Sequence, residues 1–268
     1  MWVHAIQHVR RMRGGAQAHL MRCSDGNLYV VKFQNNPQHL RVLANEMLAT
    51  RLAHEACLPV PKAYVVEVSD WLIEHTPQLQ IQLAQGSVPC QPGIQCGSRY
   101  VVNPVEGPVW DYIPMELIGR VRNLETFAGI LVFDKWTGNV DARQAAFWKY
   151  ARERKYTAAF IDQGHCFNGG EWTFPDNPLR GVYPRNEVYD CILGWESFEP
   201  WLRRIKEMSE SRIWEIADSV PTQWYSNDAD SFRALISALL PRRACVRDLI
   251  QDFRGCVRRP FRRWLDAA

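Results

Sequence analysis

The sequence predicts an α+β protein with two lobes, a small strand-rich N-terminal lobe and a mainly helical C-terminal lobe. Short apolar runs separated by turn residues fill the chain up to residue 102. Apolar residues at three- and four-residue spacing dominate its last third, as in amphipathic helices. An irregular, proline-containing linker follows residue 102. We therefore divide the chain into residues 1–102 and 103–268.

The composition indicates a large core and excludes several classes of protein. With 268 residues and 47% hydrophobic content, the chain can fill one large domain or two closely packed lobes. No apolar run approaches the length of a membrane span, and the first residues lack the apolar centre of a signal peptide. The eight cysteines include no C-x-x-C pair. We therefore expect reduced thiols, no zinc site and a cytoplasmic location.

Positive charge is concentrated at the C-terminus. From Pro241 onward there are eight arginines, no lysine and three aspartates, although the whole chain carries only +3. One interpretation is contact with an anionic surface such as a nucleic acid. We favour a terminal helix that is solvated or paired with carboxylates, because four residues give it an apolar face: Cys245, Leu249, Ile250 and Phe253.

The chain begins with a predicted strand at residues 3–9 and a predicted hairpin. Asp25-Gly26 lies between two apolar runs, a strong hairpin signal.

A run of mostly small residues, 13–19, precedes this hairpin and contains Gly14, Gly15 and Gln17. Small side chains allow backbone N–H groups to approach phosphate oxygens closely. We interpret the run as a candidate phosphate-binding loop.

Lys32 lies within the second strand of the hairpin. A helix is predicted to follow, with an apolar stripe at three- and four-residue spacing: Leu40, Leu43, Ala44, Met47, Leu48 and Leu52. Glu46 lies beside this stripe, so a helix packed on the sheet could direct it at Lys32. A lysine held by a glutamate is one way in which proteins bind nucleotide phosphates.

The remainder of the N-terminal lobe is predicted to contain two strands. Residues 63–68 form one of them, and residues 98–102 form the other. The polar segment between, residues 74–97, is predicted to be a long loop. Because the second strand ends in the linker, we expect the backbone of Val101 and Val102 to serve as a hinge that bonds an adenine.

Two acids follow apolar segments in the middle of the chain. An apolar helical segment, residues 127–133, leads to Asp141, and the apolar run 158–161 ends at Asp162. The 21 residues from one acid to the other leave room for a short hairpin. Such a hairpin would bring both carboxylates to one region, as required for a proton acceptor and a metal ligand around a phosphate.

Three amphipathic stripes predict helices beyond this region. They are Phe198, Trp201, Leu202, Ile205 and Met208; Ile213, Ile216 and Val220; and Phe232, Leu235, Ile236, Leu239 and Leu240.

Five segments, in order, resemble the HipA-like kinase family and, more distantly, the phosphoinositide kinases. They are GGAQAHL, YVVKF, LANEMLATRLA with LPVP, LVFDKWTGNVDARQ and FIDQG, spanning roughly residues 3–170. Each motif is short, but five in the right order and spacing are much more specific. The resemblance implies a protein-kinase-like fold that uses ATP and Mg²⁺.

The resemblance also implies roles for individual residues. Gly14 and Gly15 would belong to the phosphate-covering loop, and Lys32 would bind phosphates while paired with Glu46. Asp141 would orient or deprotonate the acceptor hydroxyl. Asp162 would hold the magnesium ion that bridges the phosphates.

The family pattern is altered around Asp141. The asparagine expected five residues later, a ligand of a second metal ion, is replaced by Ala146. Gln144 offers an amide oxygen instead. Arg143 is assigned either to a substrate phosphate or to steadying Asp141.

Three residues after Asp162 have two interpretations. His165, Asn168 and Trp172 either contact the substrate or form a capped turn with a buried indole. The other six histidines are interpreted as structural.

The function that these features favour is an ATP- and Mg²⁺-dependent phosphotransferase acting on a serine or threonine of a protein. The alternative is a catalytically weak or silent nucleotide-binding module, such as half of a toxin–antitoxin-like system. A nucleic-acid binder using the C-terminal arginines ranks last.

Overall fold

The structure is a computed structural model that describes residues 2–265. Its strands are β1 (Trp2–Arg11), β2 (His19–Cys23), β3 (Leu28–Lys32), β4 (Ala63–Val68), β5 (Gln80–Leu83), β6 (Gly86–Pro89), β7 (Gly93–Arg99), β8 (Val109–Trp110), β9 (Gln144–Trp148) and β10 (Thr157–Ile161). Its α-helices are α1 (Val42–Glu55), α2 (Asp70–Glu74), α3 (Thr126–Thr137), α4 (Glu199–Glu207), α5 (Glu210–Asp218), α6 (Ala229–Leu239) and α7 (Val246–Gly255). This is the mixed α+β composition that the sequence predicts.

The first half of the chain forms a barrel of five strands in the order β1-β2-β3-β7-β4. All neighbours are antiparallel except β1 and β4, which pair in parallel over Trp2, Val3 and His4. Apolar side chains of these strands fill the interior, among them Met21, Tyr29 and Val66. The predicted Asp25-Gly26 hairpin is confirmed as the β2–β3 connection.

The prediction of a loop over residues 74–97 is wrong. This segment contains the β5–β6 hairpin and most of β7, which lies between β3 and β4. The predicted strand 98–102 is displaced accordingly, because β7 ends at Arg99. Crowding explains the weak sequence signal: a Cβ on Gly97 would lie 2.3 Å from Val66 Cγ2, so this central strand cannot carry a large residue there.

A second, larger apolar cluster surrounds α1 and α3. Helix α1 is buried on almost every side, and its apolar residues pack in the same cluster as those of α3 to α7. The helices predicted from the three amphipathic stripes correspond to α4, α5 and α6. Leu40, counted in the predicted α1 stripe, instead precedes the helix and is exposed.

A small antiparallel sheet, β10-β9-β8, connects the middle of the chain to this cluster. Strands β9 and β10 form the hairpin predicted between Asp141 and Asp162, with Gln144 opposite Ile161. Asp162 therefore follows the end of β10 directly.

The C-terminal arginines are largely engaged with the protein surface. Among the pairs that lie within residues 2–265, Arg242 pairs with Asp176, Arg243 with Glu210, Arg247 with Glu199, and Arg262 with Glu187. Helix α7 buries Val246, Ile250 and Phe253, whereas Cys245 is exposed. The carboxylate-paired helix is thus the interpretation that these contacts favour. None of the helices within residues 2–265 is long and apolar enough to cross a membrane.

Candidate active site

The centre of the candidate site is the ammonium group of Lys32. Lys32 is the last residue of β3, and its side chain is almost completely buried. Its Nζ donates to Glu46 Oε2 and to Asp162 Oδ1, each at 2.7 Å. The predicted pairing of Lys32 with Glu46 is therefore present, and Asp162 joins it from the other half of the chain.

These charges stabilise one another. Burial opposes the charged form of Lys32, but Asp162 and Glu46 outweigh that effect and raise its pKa above the ordinary value. Burial alone would raise the pKa of Asp162, but Lys32, His165 and Arg143 together lower it below the ordinary value. Both groups therefore remain charged at neutral pH.

Gly164 allows α1 to pack close enough for Glu46 to reach Lys32. A Cβ on Gly164 would lie 2.7 Å from Val42 Cγ2 and 3.5 Å from both Lys32 Nζ and Glu46 Oε2. Any larger residue would push α1, and Glu46 with it, away from the lysine. The glycine two residues after Asp162 thus has a packing reason to be there.

Gln144 lies beside the free side of the Asp162 carboxylate. Its Nε2 donates to Asp162 Oδ2 at 3.2 Å, and its side chain is exposed. Asp162 itself has a φ of +62°, an unusual conformation for a residue with a side chain. The two side chains predicted to be metal ligands are therefore adjacent. Rotation of the Gln144 amide would place its oxygen next to the same carboxylate.

The loop carrying Asp141 is fixed by backbone hydrogen bonds. Helix α3 ends at Thr137, and the following Gly138 adopts a left-handed φ of 59°. Asn139 Oδ1 accepts from the N–H of Asp141 at 3.1 Å, and the N–H of Val140 donates to the carbonyl of His165 at 3.2 Å. The loop thus runs along the segment that follows Asp162, and the Asp141 side chain is exposed.

Arg143 has a different environment from the one that we predicted for it. Its side chain is fully buried and donates through Nε to Asp134 Oδ2 at 2.8 Å and through Nη2 to Asp134 Oδ1. It also donates to the carbonyl of Ile161 at 2.9 Å, next to Asp162. This geometry makes Arg143 a support for the end of β10 rather than a group facing a substrate. No pattern in the sequence indicates that Asp134 is its partner.

The loop of Gly14 and Gly15 lies between β1 and β2. Gly14 has a φ of +114° with open space around it, and Gly15 packs against the amide of Gln38. The Gln17 side chain is bonded both ways to the backbone of Gln82 on β5, at 2.7 Å each. Its amide therefore connects this loop to the β5–β6 hairpin.

Val101 and Val102 follow β7, as a hinge would require. Val102 is buried and Val101 half-buried. Both valines lie beyond the paired residues of β7. Within residues 2–265, no other backbone group bonds to their N–H or carbonyl groups. Their role as an adenine-binding hinge stays a prediction.

Asn45, adjacent to Glu46 on α1, is a site residue that sequence analysis missed. Its buried Nδ2 donates to the carbonyls of Gly164, Cys166 and Gly169 at 2.7–3.0 Å. Trp172 Nε1 donates to Asn45 Oδ1 at 2.8 Å. Trp172 thus fits the interpretation of a capped turn with a buried indole. In the sequence, Asn45 is a polar residue next to apolar positions of a predicted helix, and this pattern could have indicated a buried hydrogen-bonding role.

Histidines also surround the segment after Asp162. His39 Nε2 lies 3.0 Å from the carbonyl of Gly164, and its ring is 5.5 Å from that of His165. Burial, together with the nearby His165, lowers the pKa of His39 to about 4. Within residues 2–265, no group of three or more His, Cys, Asp or Glu side chains could hold a metal ion alone.

A buried lysine between two acids, one on a helix and one after a β-hairpin, together with a five-stranded barrel and a helical second half, defines the kinase-like class of fold. The family model described as HipA-like kinase matches residues 5–151, more than half of the chain, and the protein belongs to this family. No curated protein matches the sequence.

Solved kinase structures share the fold at low sequence identity. The Helicobacter pylori proinflammatory kinase CtkA aligns with a TM-score of 0.59 at 12% identity, covering 95% of this chain and 99% of CtkA. The Golgi casein kinase aligns with a TM-score of 0.54 at 12% identity, covering 96% of this chain and 74% of the kinase. Shewanella oneidensis HipA, in complex with HipB and operator DNA, gives 0.52 at 13% identity, covering 94% and 68%.

Proposed function

We propose that the protein is an ATP- and Mg²⁺-dependent phosphotransferase whose acceptor is a serine or threonine hydroxyl of a protein. The observation that carries this proposal is Lys32, bonded at 2.7 Å to both Glu46 and Asp162. In this proposal residues 1–102 and 103–268 act as two lobes, and the nucleotide lies between them, where the lysine of one meets the aspartate of the other.

The polar groups at the site fit a nucleotide-bound divalent cation. Mg²⁺ usually takes one or two protein carboxylates and completes its shell with water and substrate phosphates. Asp162 supplies one carboxylate and Gln144 one amide oxygen, which agrees with the absence of a larger acidic cluster in residues 2–265. When bound, such an ion neutralises charge on the phosphates. A structure of the Golgi casein kinase has Mn and ADP bound, which supports nucleotide and metal use here.

In this proposal each residue of the site has a separate task. Lys32 binds phosphate oxygens while Glu46 holds its side chain in place. Asp141 accepts the proton of the acceptor hydroxyl. The hydroxyl oxygen bonds to the γ-phosphorus, while the bond between the γ-phosphorus and the β-phosphate oxygen breaks. The exposed carboxylate of Asp141 suits contact with a large acceptor, and the exposed loop of Gly14 suits backbone contact with phosphates.

Two measurements on the same three variants test this proposal. We expect ATP with Mg²⁺ to raise the melting temperature of the wild type, and Asp162→Asn to abolish the part of the shift that needs Mg²⁺. We expect Asp141→Asn to keep the shift but lose transfer of labelled γ-phosphate to a protein acceptor. The control Asp218→Asn, at the exposed end of α5, should resemble the wild type in both. Equal transfer by Asp141→Asn and wild type would refute the role of Asp141.

A silent nucleotide-binding module is the second candidate function. The observation that favours it is Ala146, which occupies the position of the second metal ligand and is buried opposite Ala159. ATP-dependent stabilisation of the wild type without any phosphate transfer would favour this candidate over the enzyme.

A further inference from the structure

Strand β1 has a long unpaired edge. Strand β4 pairs only with Trp2, Val3 and His4 of β1, and the chain then leaves the sheet at Ser69 to form α2. Residues 5–11 pair with β2 on one side. On their other side, no strand or backbone group in the described part of the chain, residues 2–265, bonds to them. We infer that this edge is a docking site for an extended acidic segment of a partner protein, which adds to the barrel as one more strand.

The space beside this edge has the size and walls of a groove. A cavity of about 720 Å³ lies between residues 6–11 and helix α2. Ile6 and Val9 on the strand side are 55% and 44% exposed, and Trp71 on the helix side is 64% exposed. The Trp71 ring is stacked on His75 at 4.4 Å, which holds it as a wall of the groove. Apolar side chains of an added strand would contact these three residues.

The positive charge of the groove favours a partner segment with acidic side chains. Its lining includes Arg10, Arg11, His8 and His75, and no carboxylate of the described residues 2–265 belongs to it. Acidic side chains alternating with apolar ones would therefore pair with the arginines while the apolar side chains enter the groove.

A second copy of the chain fits this edge less well. Edge-to-edge pairing of two β1 strands would bring two sets of arginines together, and exposed charges of this kind are a common protection against self-association.

The inference is tested with a fluorescein-labelled heptapeptide of alternating glutamate and valine, and binding is measured by anisotropy. Three further peptides of the same length serve for comparison: one with lysine in place of glutamate, one with alternate amides N-methylated, and one with serine in place of valine. We expect saturable binding of the glutamate–valine peptide and no saturable binding of the lysine and serine peptides. N-methylation should weaken it about tenfold or more, because it removes the main-chain hydrogen bonds of strand addition.

Variants of the chain locate the site. Arg10→Glu should weaken binding about tenfold, since it reverses a charge beside the edge. Trp71→Ala should weaken it by a similar factor. Arg203→Glu, an equal charge change on exposed α4, should leave the affinity unchanged, and circular dichroism should show all three variants folded.

Three outcomes would overturn the inference. The first is no saturable binding of the glutamate–valine peptide. The second is equal binding of the N-methylated peptide, which would indicate surface attraction without strand addition. The third is a concentration-dependent dimer that Arg10→Glu strengthens, which would assign the edge to a second copy.

Discussion

Asp134→Leu should be among the most destabilising single substitutions in the protein. Asp134 and Arg143 both have fully buried side chains, joined by two hydrogen bonds, one of them 2.8 Å long. Burial lowers the pKa of Arg143, but Asp134, with smaller effects of Cys166 and Asp162, raises it above the ordinary value, so the guanidinium stays charged. Replacing Asp134 leaves that charge buried without a counter-ion. We expect the free energy of unfolding to fall by about 3–5 kcal/mol.

A double-variant cycle separates the buried charge from the loss of packing. Asp134→Leu/Arg143→Leu removes both charges and leaves the amide of Asn139 and the carbonyl of Ile161 without these partners. It should therefore cost only about 2 kcal/mol, less than Asp134→Leu alone.

Urea denaturation followed by circular dichroism gives these free energies, with Glu199→Gln as control. Glu199 pairs with Arg247 where both side chains are about half exposed, and its loss should cost less than about 1 kcal/mol. The reasoning is refuted if Asp134→Leu costs no more than this control, or if the double variant costs the sum of the two single ones.

Three other substitutions test the site and the barrel. Glu46→Gln should lower the unfolding free energy by about 1–3 kcal/mol and reduce phosphate transfer, because a neutral amide replaces one of the two carboxylates paired with Lys32; unchanged denaturation and transfer would contradict this. Ala146→Asn should destabilise by about 1–3 kcal/mol and leave the Mg²⁺-dependent thermal shift unchanged, since the new amide would be buried in the sheet; a larger shift would contradict this. Burial, with His8 and Arg11 nearby, lowers the pKa of His19 to about 4. His19 is therefore protonated at a lower pH in the folded protein than in the unfolded chain. Stability should therefore decline as the pH falls from 6.5 to 4, by up to about 3 kcal/mol from this group, and the decline should be smaller in His19→Gln.

The sequence predicted those parts of the site that depend on local pattern. Lys32 is in a strand flanked by apolar residues, and Glu46 is on a strongly periodic helix, so both could be placed from spacing alone. The β-hairpin between Asp141 and Asp162 followed from their separation. The direct bond between Lys32 and Asp162 joins residues 130 positions apart, and no local pattern predicts such a long-range contact.

Predictions from the sequence were wrong where tertiary packing, and not local composition, determines the structure. Strand β7 looks polar and glycine-rich because its neighbours leave no room at Gly97 and because Gln95 is buried with its amide bonded to the backbone of Gln91 and Pro92. Arg143 was assigned either to a substrate phosphate or to steadying Asp141, and the structure instead pairs it with Asp134. Its partner Asp134 lies on α3, and no spacing rule connects the two.

The start of β9 explains why Gln144, and not residue 146, reaches the candidate metal site. Counting five residues from Asp141 assumes that the chain is still in a loop at that point. In this protein β9 begins at Gln144, opposite Ile161, so Gln144 is at the same end of the sheet as Asp162. Residue 146 lies two positions further along the strand, about 7 Å away, opposite Ala159. An asparagine there would be directed into packed sheet, whereas an amide at residue 144 already contacts the Asp162 carboxylate at 3.2 Å. The early strand therefore moves the position from which a second ligand could come to residue 144, and Ala146 favours the silent module only if the Gln144 amide does not take that place.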